Sequence, residues 1–365
     1  MGRHYECRVS SQNEFVHHFG IPPSDPRHPD QGANQQLGIY SAYMFSKPND
    51  TSADGIHLIN IDARFHRSPT YDNFGPCEGS SSTMLGDTQW EWLQNELLTK
   101  QSEIKIIGSG IQVLPPTHKG RPLEDYCSYD GSGETFDQAM IALNEASSDN
   151  SGTLYESWGE MPQERTRLLQ LCQESINSGM TKQVIFMSGD QHWAEIMAKE
   201  VPARSNQPAV TLYEVTASGI DQNWNAIIPN PNRVRLPFAD SRGEDANFRN
   251  ECHFPFVHNG ITFKDCATNT NTPNGNDPGI NGWCRWGSGN DDWGICESKS
   301  QNKVPNFISM EASCEHICDG NALHVCTAKA NYGGIEVDWI SNQVSMAIYT
   351  PHETEAIAGR IVIPL

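Results

Sequence analysis

The sequence predicts an α/β fold with helices covering a largely central sheet, and three observations carry that expectation. Short apolar runs alternate with helix-patterned segments through roughly the first 220 residues. Each apolar run ends in a polar turn, and most of these turns hold a glycine. The chain has 365 residues, enough to bury one large core or two modest ones.

The elements follow in order. Residues 56–61 (IHLINI) form an apolar run after Asp54-Gly55 and read as a buried strand. In MLGDTQWEWLQNELL, Asp87 is the expected helix N-cap, with Trp90, Leu93 and Leu97 on one face. A second strand over 104–107 runs into GSGIQVLPP, where Pro115 and Pro116 stop any helix. Residues 119–157 turn polar and read as a long surface insertion. Helical pattern resumes over 162–176, with Leu168, Leu169, Cys172 and Ile176 as its apolar stripe. A third strand, 183–187 (QVIFM), leads directly into SGDQHWAE, and a fourth, 210–216, ends in ASGIDQNW.

Residues 227–330 are rich in Asn, Gly, Asp, Pro and Cys, show little periodicity and read as an inserted, Cys-rich irregular segment. Order returns in NYGGIEVDW, VSMAIYT and AGRIVIPL, which alternate like antiparallel strands. The expected division is therefore 1–226, an insertion over 227–330, and closing strands over 331–365.

Composition narrows the partners. With 45 acidic against 25 basic residues the net charge is −20, a field that repels nucleic acid and anionic membranes. No apolar run is long enough for a transmembrane helix, and the opening residues lack the apolar core of a signal peptide. Seven of the eleven cysteines (Cys252, Cys266, Cys284, Cys296, Cys314, Cys318, Cys326) crowd the irregular segment. Disulfide cross-linking in an oxidising compartment explains that crowding, because a segment with little core needs staples. A zinc cage involving Cys314, His316, Cys318, His324 and Cys326 is the rival, although no paired C-x2-C units occur. The sequon at Asn49 also suits an extracellular or secretory-lumen protein, and missing upstream sequence would reconcile that location with the absent export signal.

Chemistry-bearing residues cluster after the strands. Asp190 and His192 in SGDQH are a carboxylate and an imidazole two residues apart on a glycine turn, able to face one cavity and bind a cation; a capped turn with a surface histidine would look the same. Asp62 and Arg64 follow the first strand, where the guanidinium can clamp a phosphoryl group and the carboxylate can hold metal; a structural ion pair is the plainer alternative. Gln112 ends the second strand, as catalytic amide or as loop support. Ser109, Ser188 and Ser218 sit at glycine turns but not in G-x-S-x-G, and no Gly-rich phosphate loop is present.

Taken together, LGIYSAYMF, INIDARFHRSP, MLGDTQWEWLQNEL, IIGSGIQVLP, WGEMPQERTRLLQL, VIFMSGDQHWAEI, LYEVTASGIDQNW and NYGGIEVDW resemble successive blocks of the PhoD-like (alkaline phosphatase D) metallophosphatases. The blocks span about 12–224 and 331–365. The resemblance implies a metallophosphatase-like αββα sandwich, export, and hydrolysis of phosphate mono- or diesters at a cluster of metal ions, typically calcium with iron. It implies that Asp190 and His192 are metal ligands, with Asp62 beside them, and that Arg64 lies near the substrate phosphate. Gln112 takes the strand end where related enzymes place a ligand histidine.

The family's earlier aspartate-bearing G-D-x-x-Y and W-D-D-H type blocks are absent from the sequence, so an N-terminally truncated fold with half its metal site is expected. A non-catalytic, secreted, disulfide-rich binding protein on the same scaffold is the competing reading. In the enzyme reading the missing blocks would supply the ligands that bridge the metals, so little activity is expected of this polypeptide alone.

Overall fold

A computed structural model describes residues 2–48, 50–68, 83–115, 158–221, 232–234, 325–351 and 357–365, together with short stretches between 238 and 312. The polar segment expected over 119–157 lies outside the described residues. The chain divides into two compact units, 1–190 with 199–214, and 191–198 with 215–365.

In the first unit, helix α1 (Arg8–His18) and a short 3-10 turn (Pro29–Asn34) precede strand β1 (Ser41–Lys47) and strand β2 (Asp50–Asn60). Helix α2 (Asp87–Leu98), strand β3 (Ile104–Gly108), helix α3 (Pro162–Asn177) and strand β4 (Gln183–Ser188) follow. Strands β5 (Ala194–Val201) and β6 (Val210–Ala217) contribute residues 199–201 and 210–214 to this unit. The pairing order is β1-β2-β3-β4-β6-β5. Strand β1 runs antiparallel to β2, whereas β2, β3 and β4 run parallel. The fold is thus α/β with a mixed sheet.

Parallel neighbours need long connections, and helices α2 and α3 supply them. Ile104, Ile107, Val184, Ile185 and Phe186 are fully buried in the sheet; Trp90, Leu93, Leu97, Leu168 and Cys172 are buried on the helices. Fully burying such side chains contributes roughly 1.5–3 kcal/mol each before entropy is counted. Helix α3 carries Pro162 in its first turn, where the missing N–H costs nothing.

Helix α2 begins differently from the expectation. Gly86, at φ 74°, is the N-cap and Asp87 is the first helical residue. Glycine is needed there, because a Cβ would lie 3.0 Å from His66 as well as in the left-handed region. Residues 41–47 and 194–201 lack clean alternation, and pairing with β2 and β6 makes them strands.

A polar cluster lies within this apolar layer. His57 Nε2 is 3.0 Å from Glu96 Oε2, and both side chains are buried. Burial pushes the Glu96 carboxyl up, but His57 and Lys100 together hold it below its ordinary value. Lys105 Nζ donates to the Glu96 carbonyl at 3.0 Å and also to the Lys100 carbonyl.

Burial pulls Lys105 down to about 8, against the attraction of Glu96. Between that value and the ordinary lysine pKa of about 10.4, the unfolded chain binds more protons than the folded one. The cost of charging this ammonium is complete below its folded pKa and is lifted as pH rises toward about 10.4. Urea unfolding of wild type and Lys105→Met should show the difference moving in the wild type's favour by on the order of 1 kcal/mol or more across that window. A pH-independent difference would contradict this.

In the second unit, strands β7–β13 run from Phe238–Asp240 to Ser309–Ala312 and are two to four residues each. Strand β14 (Cys326–Thr327) pairs antiparallel with β5 at Glu195 and Ala194. Strands β15 (Tyr332–Asp338), β16 (Gln343–Tyr349) and β17 (Ile357–Pro364) form an antiparallel sheet, as their alternation predicts. Cys326 is disulfide-bonded, and Cys7 and Cys172 are free thiols; the other cysteine side chains lie outside the described residues. Among the described residues no helix is long and apolar enough to cross a membrane.

Candidate functional site

The parallel register brings the expected site residues of the first unit to one sheet edge. Asn60 of β2 pairs with Gly108 of β3, which pairs with Met187 of β4. The next residues continue that alignment: Ile61 N–H donates to the Gly108 carbonyl at 2.9 Å and Ser109 N–H to the Met187 carbonyl at 2.8 Å. The turns carrying Asp62 and Arg64, Gln112, and Asp190 therefore leave the sheet side by side. Ligand sites in open α/β sheets form at such carboxyl ends.

Arg64 and Asp190 meet there. A guanidinium nitrogen of Arg64 lies 3.7 Å from a carboxylate oxygen of Asp190, and both side chains are 43 % exposed. A pair this open is worth about 0–1 kcal/mol. A bidentate phosphate can therefore displace it at little cost.

Asp62 shapes its own loop. Its Oδ1 accepts the Arg64 and Phe65 N–H groups at 2.8 and 2.9 Å, and its Oδ2 accepts the Ile39 N–H at 2.8 Å. Gln89 of α2 holds the same residue's backbone, accepting from Asp62 N–H at 2.7 Å and donating to its carbonyl at 3.0 Å. The carboxylate thus shapes the loop that presents Arg64.

Gln112 is buried, and its carbonyl accepts the Trp158 N–H at 2.9 Å. The loop it opens is fixed from two sides. The buried carboxylate of Glu214 accepts Val113 N–H at 2.9 Å and Leu114 N–H at 2.6 Å. Arg165 donates to the carbonyls of the same two residues at 2.7 and 2.5 Å.

The SGDQH turn carries backbone strain. Asp190 and His192 have φ of 73° and 63°, a left-handed conformation that costs an L-residue roughly 1–2 kcal/mol. Such outliers persist where their surroundings over-determine them, often at functional sites. His192 belongs to the second unit, where its N–H donates to Ser218 Oγ at 2.9 Å.

The adjoining Gly219 is tightly enclosed: a Cβ would lie 2.2 Å from Asn331 Nδ2, which would have to move, and 3.2 Å from the His192 carbonyl. Asn331 is itself buried, and its side-chain oxygen accepts the Gly219 N–H at 3.2 Å. Gly219→Ala should destabilise the protein by about 1–3 kcal/mol in thermal unfolding. An unchanged melting curve would show that this turn is not held as described.

The donor set bears on a metal. Among the described residues no three His, Cys, Asp or Glu side chains gather as a metal cage requires. Both Asp62 oxygens already accept backbone N–H groups. The described donors do not by themselves make up a complete metal centre.

Fold and site define an α/β protein whose polar groups collect at the ends of parallel strands, around an exposed arginine and aspartate. The family model for PhoD-like phosphatases matches residues 52–253, more than half of the chain, and the chain belongs to that family. It is a metal-dependent family of phosphoester hydrolases. One solved structure, described as "Structure of PhoD", is similar to this chain at 16 % identity, with a TM-score of 0.33. That likeness covers 55 % of this chain and 32 % of the other, so the chain spans about a third of that protein's length. No curated protein matches.

Proposed function

We propose that this chain binds phosphate esters and serves in their hydrolysis. The carrying observation is the 3.7 Å approach of Arg64 to Asp190 at the shared edge of β2, β3 and β4. The guanidinium takes two non-bridging oxygens of the phosphoryl group and stabilises the charge that grows on them as water attacks. The water oxygen bonds to phosphorus, the ester P–O bond breaks, and the alcohol leaves with a proton.

Asp190 and His192 are the residues of this chain that would ligate metal, with Asp62 assigned to loop geometry first and to ligation second. Bound cations would supply charge neutralisation and an acidified water; calcium with iron is the pair that the family resemblance suggests. Gln112 fills the position between Arg64 and Asp190 in strand order. The αββα layering, the phosphatase domain of 1–226 and 331–365, and the Cys-rich insertion of 227–330 belong to the same proposal. The disulfide at Cys326 supports a secreted or lumenal protein.

The shortage of described metal donors favours a second reading, a non-catalytic secreted binding protein on this scaffold. Turnover of p-nitrophenyl phosphate and bis-p-nitrophenyl phosphate, with calcium and iron supplied or chelated, separates the two. Hydrolysis that appears with the metals supports the enzyme. No turnover in any metal condition rejects it for this chain.

A further inference from the structure

The first unit holds a cavity of about 580 Å³ beside Arg64, within the range of small-molecule sites and far larger than a phosphoryl group alone requires. We propose that this cavity receives the alcohol portion of the ester, and that this portion is aromatic or otherwise apolar. The inference rests on the phosphoesterase reading and names its substrate class.

The lining makes the argument. Tyr5 and Phe15 come from the N-terminal segment and α1, Ile39 from the strap before β1, and Phe65 from the turn that carries Arg64. Arg8 and Arg64 bring two guanidiniums to the same cavity. Arg8 stands 5.4 Å from the centre of the Phe65 ring and donates to the Arg3 carbonyl at 2.6 Å, so its charge is set over an aromatic face. Among the described residues Asp62 is the one acidic residue of the lining, and its carboxylate is committed to three backbone N–H groups.

A protein of net charge −20 therefore offers a cavity lined by two cations and four large apolar side chains. An anion carrying an apolar body is the complementary ligand. A small hydrophilic alcohol would leave the apolar walls facing water.

The cavity wall is also preorganised. Gln12 Oε1 accepts the Gly38 N–H at 2.8 Å, and its amide donates to the Arg27 and Gln36 carbonyls at 3.1 and 2.7 Å. Ile39 is pinned next door by its N–H bond to Asp62. A wall held in this way spends little ordering entropy when a ligand arrives.

The test is equilibrium binding of phenylphosphonate and methylphosphonate to the full chain, at a pH where both are dianions. Neither is hydrolysed, and they share one headgroup. Phenylphosphonate should bind at least about tenfold more tightly. Tyr5→Ala should reduce that preference to about threefold or less by weakening phenylphosphonate more than methylphosphonate. Tyr5 is 38 % exposed, so this variant should fold, and Phe15→Ala should act in the same direction. Equal affinity for the two ligands, or a preference untouched by both variants, overturns the inference and leaves the phosphoesterase reading standing. Binding of neither ligand overturns both.

Discussion

Arg64→Ala should lower kcat/KM for phosphate esters by about a hundredfold or more, the scale on which one charge-stabilising donor at a developing oxyanion acts. The expectation follows from placement. Arg64 lies four residues past the end of β2 at Asn60, its loop is fixed by the Asp62 carboxylate, and its guanidinium reaches to within 3.7 Å of Asp190. Arg64→Lys should recover little of the loss, because an ammonium cannot make the paired, planar contact of a guanidinium. Thermal unfolding should be nearly unchanged in both variants, since the ion pair they remove is exposed. A large fall in stability alongside the fall in rate would make Arg64 structural instead.

The second large effect concerns the loop after β3. Glu214→Ala should destabilise the protein by about 3–5 kcal/mol, the cost of breaking a buried charged network and leaving its partners without an acceptor. Glu214 is fully buried and accepts from the N–H groups of Val113 and Leu114, while Arg165 binds the carbonyls of the same residues. At roughly 2–4 °C per kcal/mol for a unit of this size, the melting temperature should drop by about 10 °C. Glu214→Gln retains one carbonyl oxygen as acceptor and should fall between the two. Equal stability of Glu214→Ala and wild type would remove the carboxylate from its assigned role.

Much of this arrangement was legible in the sequence. Apolar runs ending in polar turns place Asp62, Arg64, Gln112 and Asp190 at strand ends, and parallel pairing then sets those ends on one edge. What escaped is what depends on distant partners. Gln89 reaches Asp62 across 27 positions and Glu214 reaches Val113 across 101, and no local pattern encodes either bond. Gln89 gave only a faint signal, as a polar residue next to Trp90 on a helix that buries both.

The role of Asp62 was within reach of sequence reasoning. An aspartate that accepts N–H groups two and three residues ahead is an Asx-type turn, and Asp62-Ala-Arg64-Phe65 at a strand end suits one. The left-handed backbone at Asp190 and His192 gave weaker notice: Asp and His adopt it more readily than most residues, but no residue type requires it there. Arg8 could not be associated with Arg64 from spacing at all. Their meeting at one cavity is a product of the chain path through α1 and the turn after β2.

The central claim is that the turns after β2 and β4 present Arg64 and Asp190 to a single phosphoryl group. Its most direct test is a crystal structure of the full chain soaked with tungstate, located by anomalous scattering. The account predicts a tungstate ion with oxygens about 3 Å from the Arg64 guanidinium, beside Asp190. Tungstate bound elsewhere with Arg64 turned away from Asp190 would contradict it.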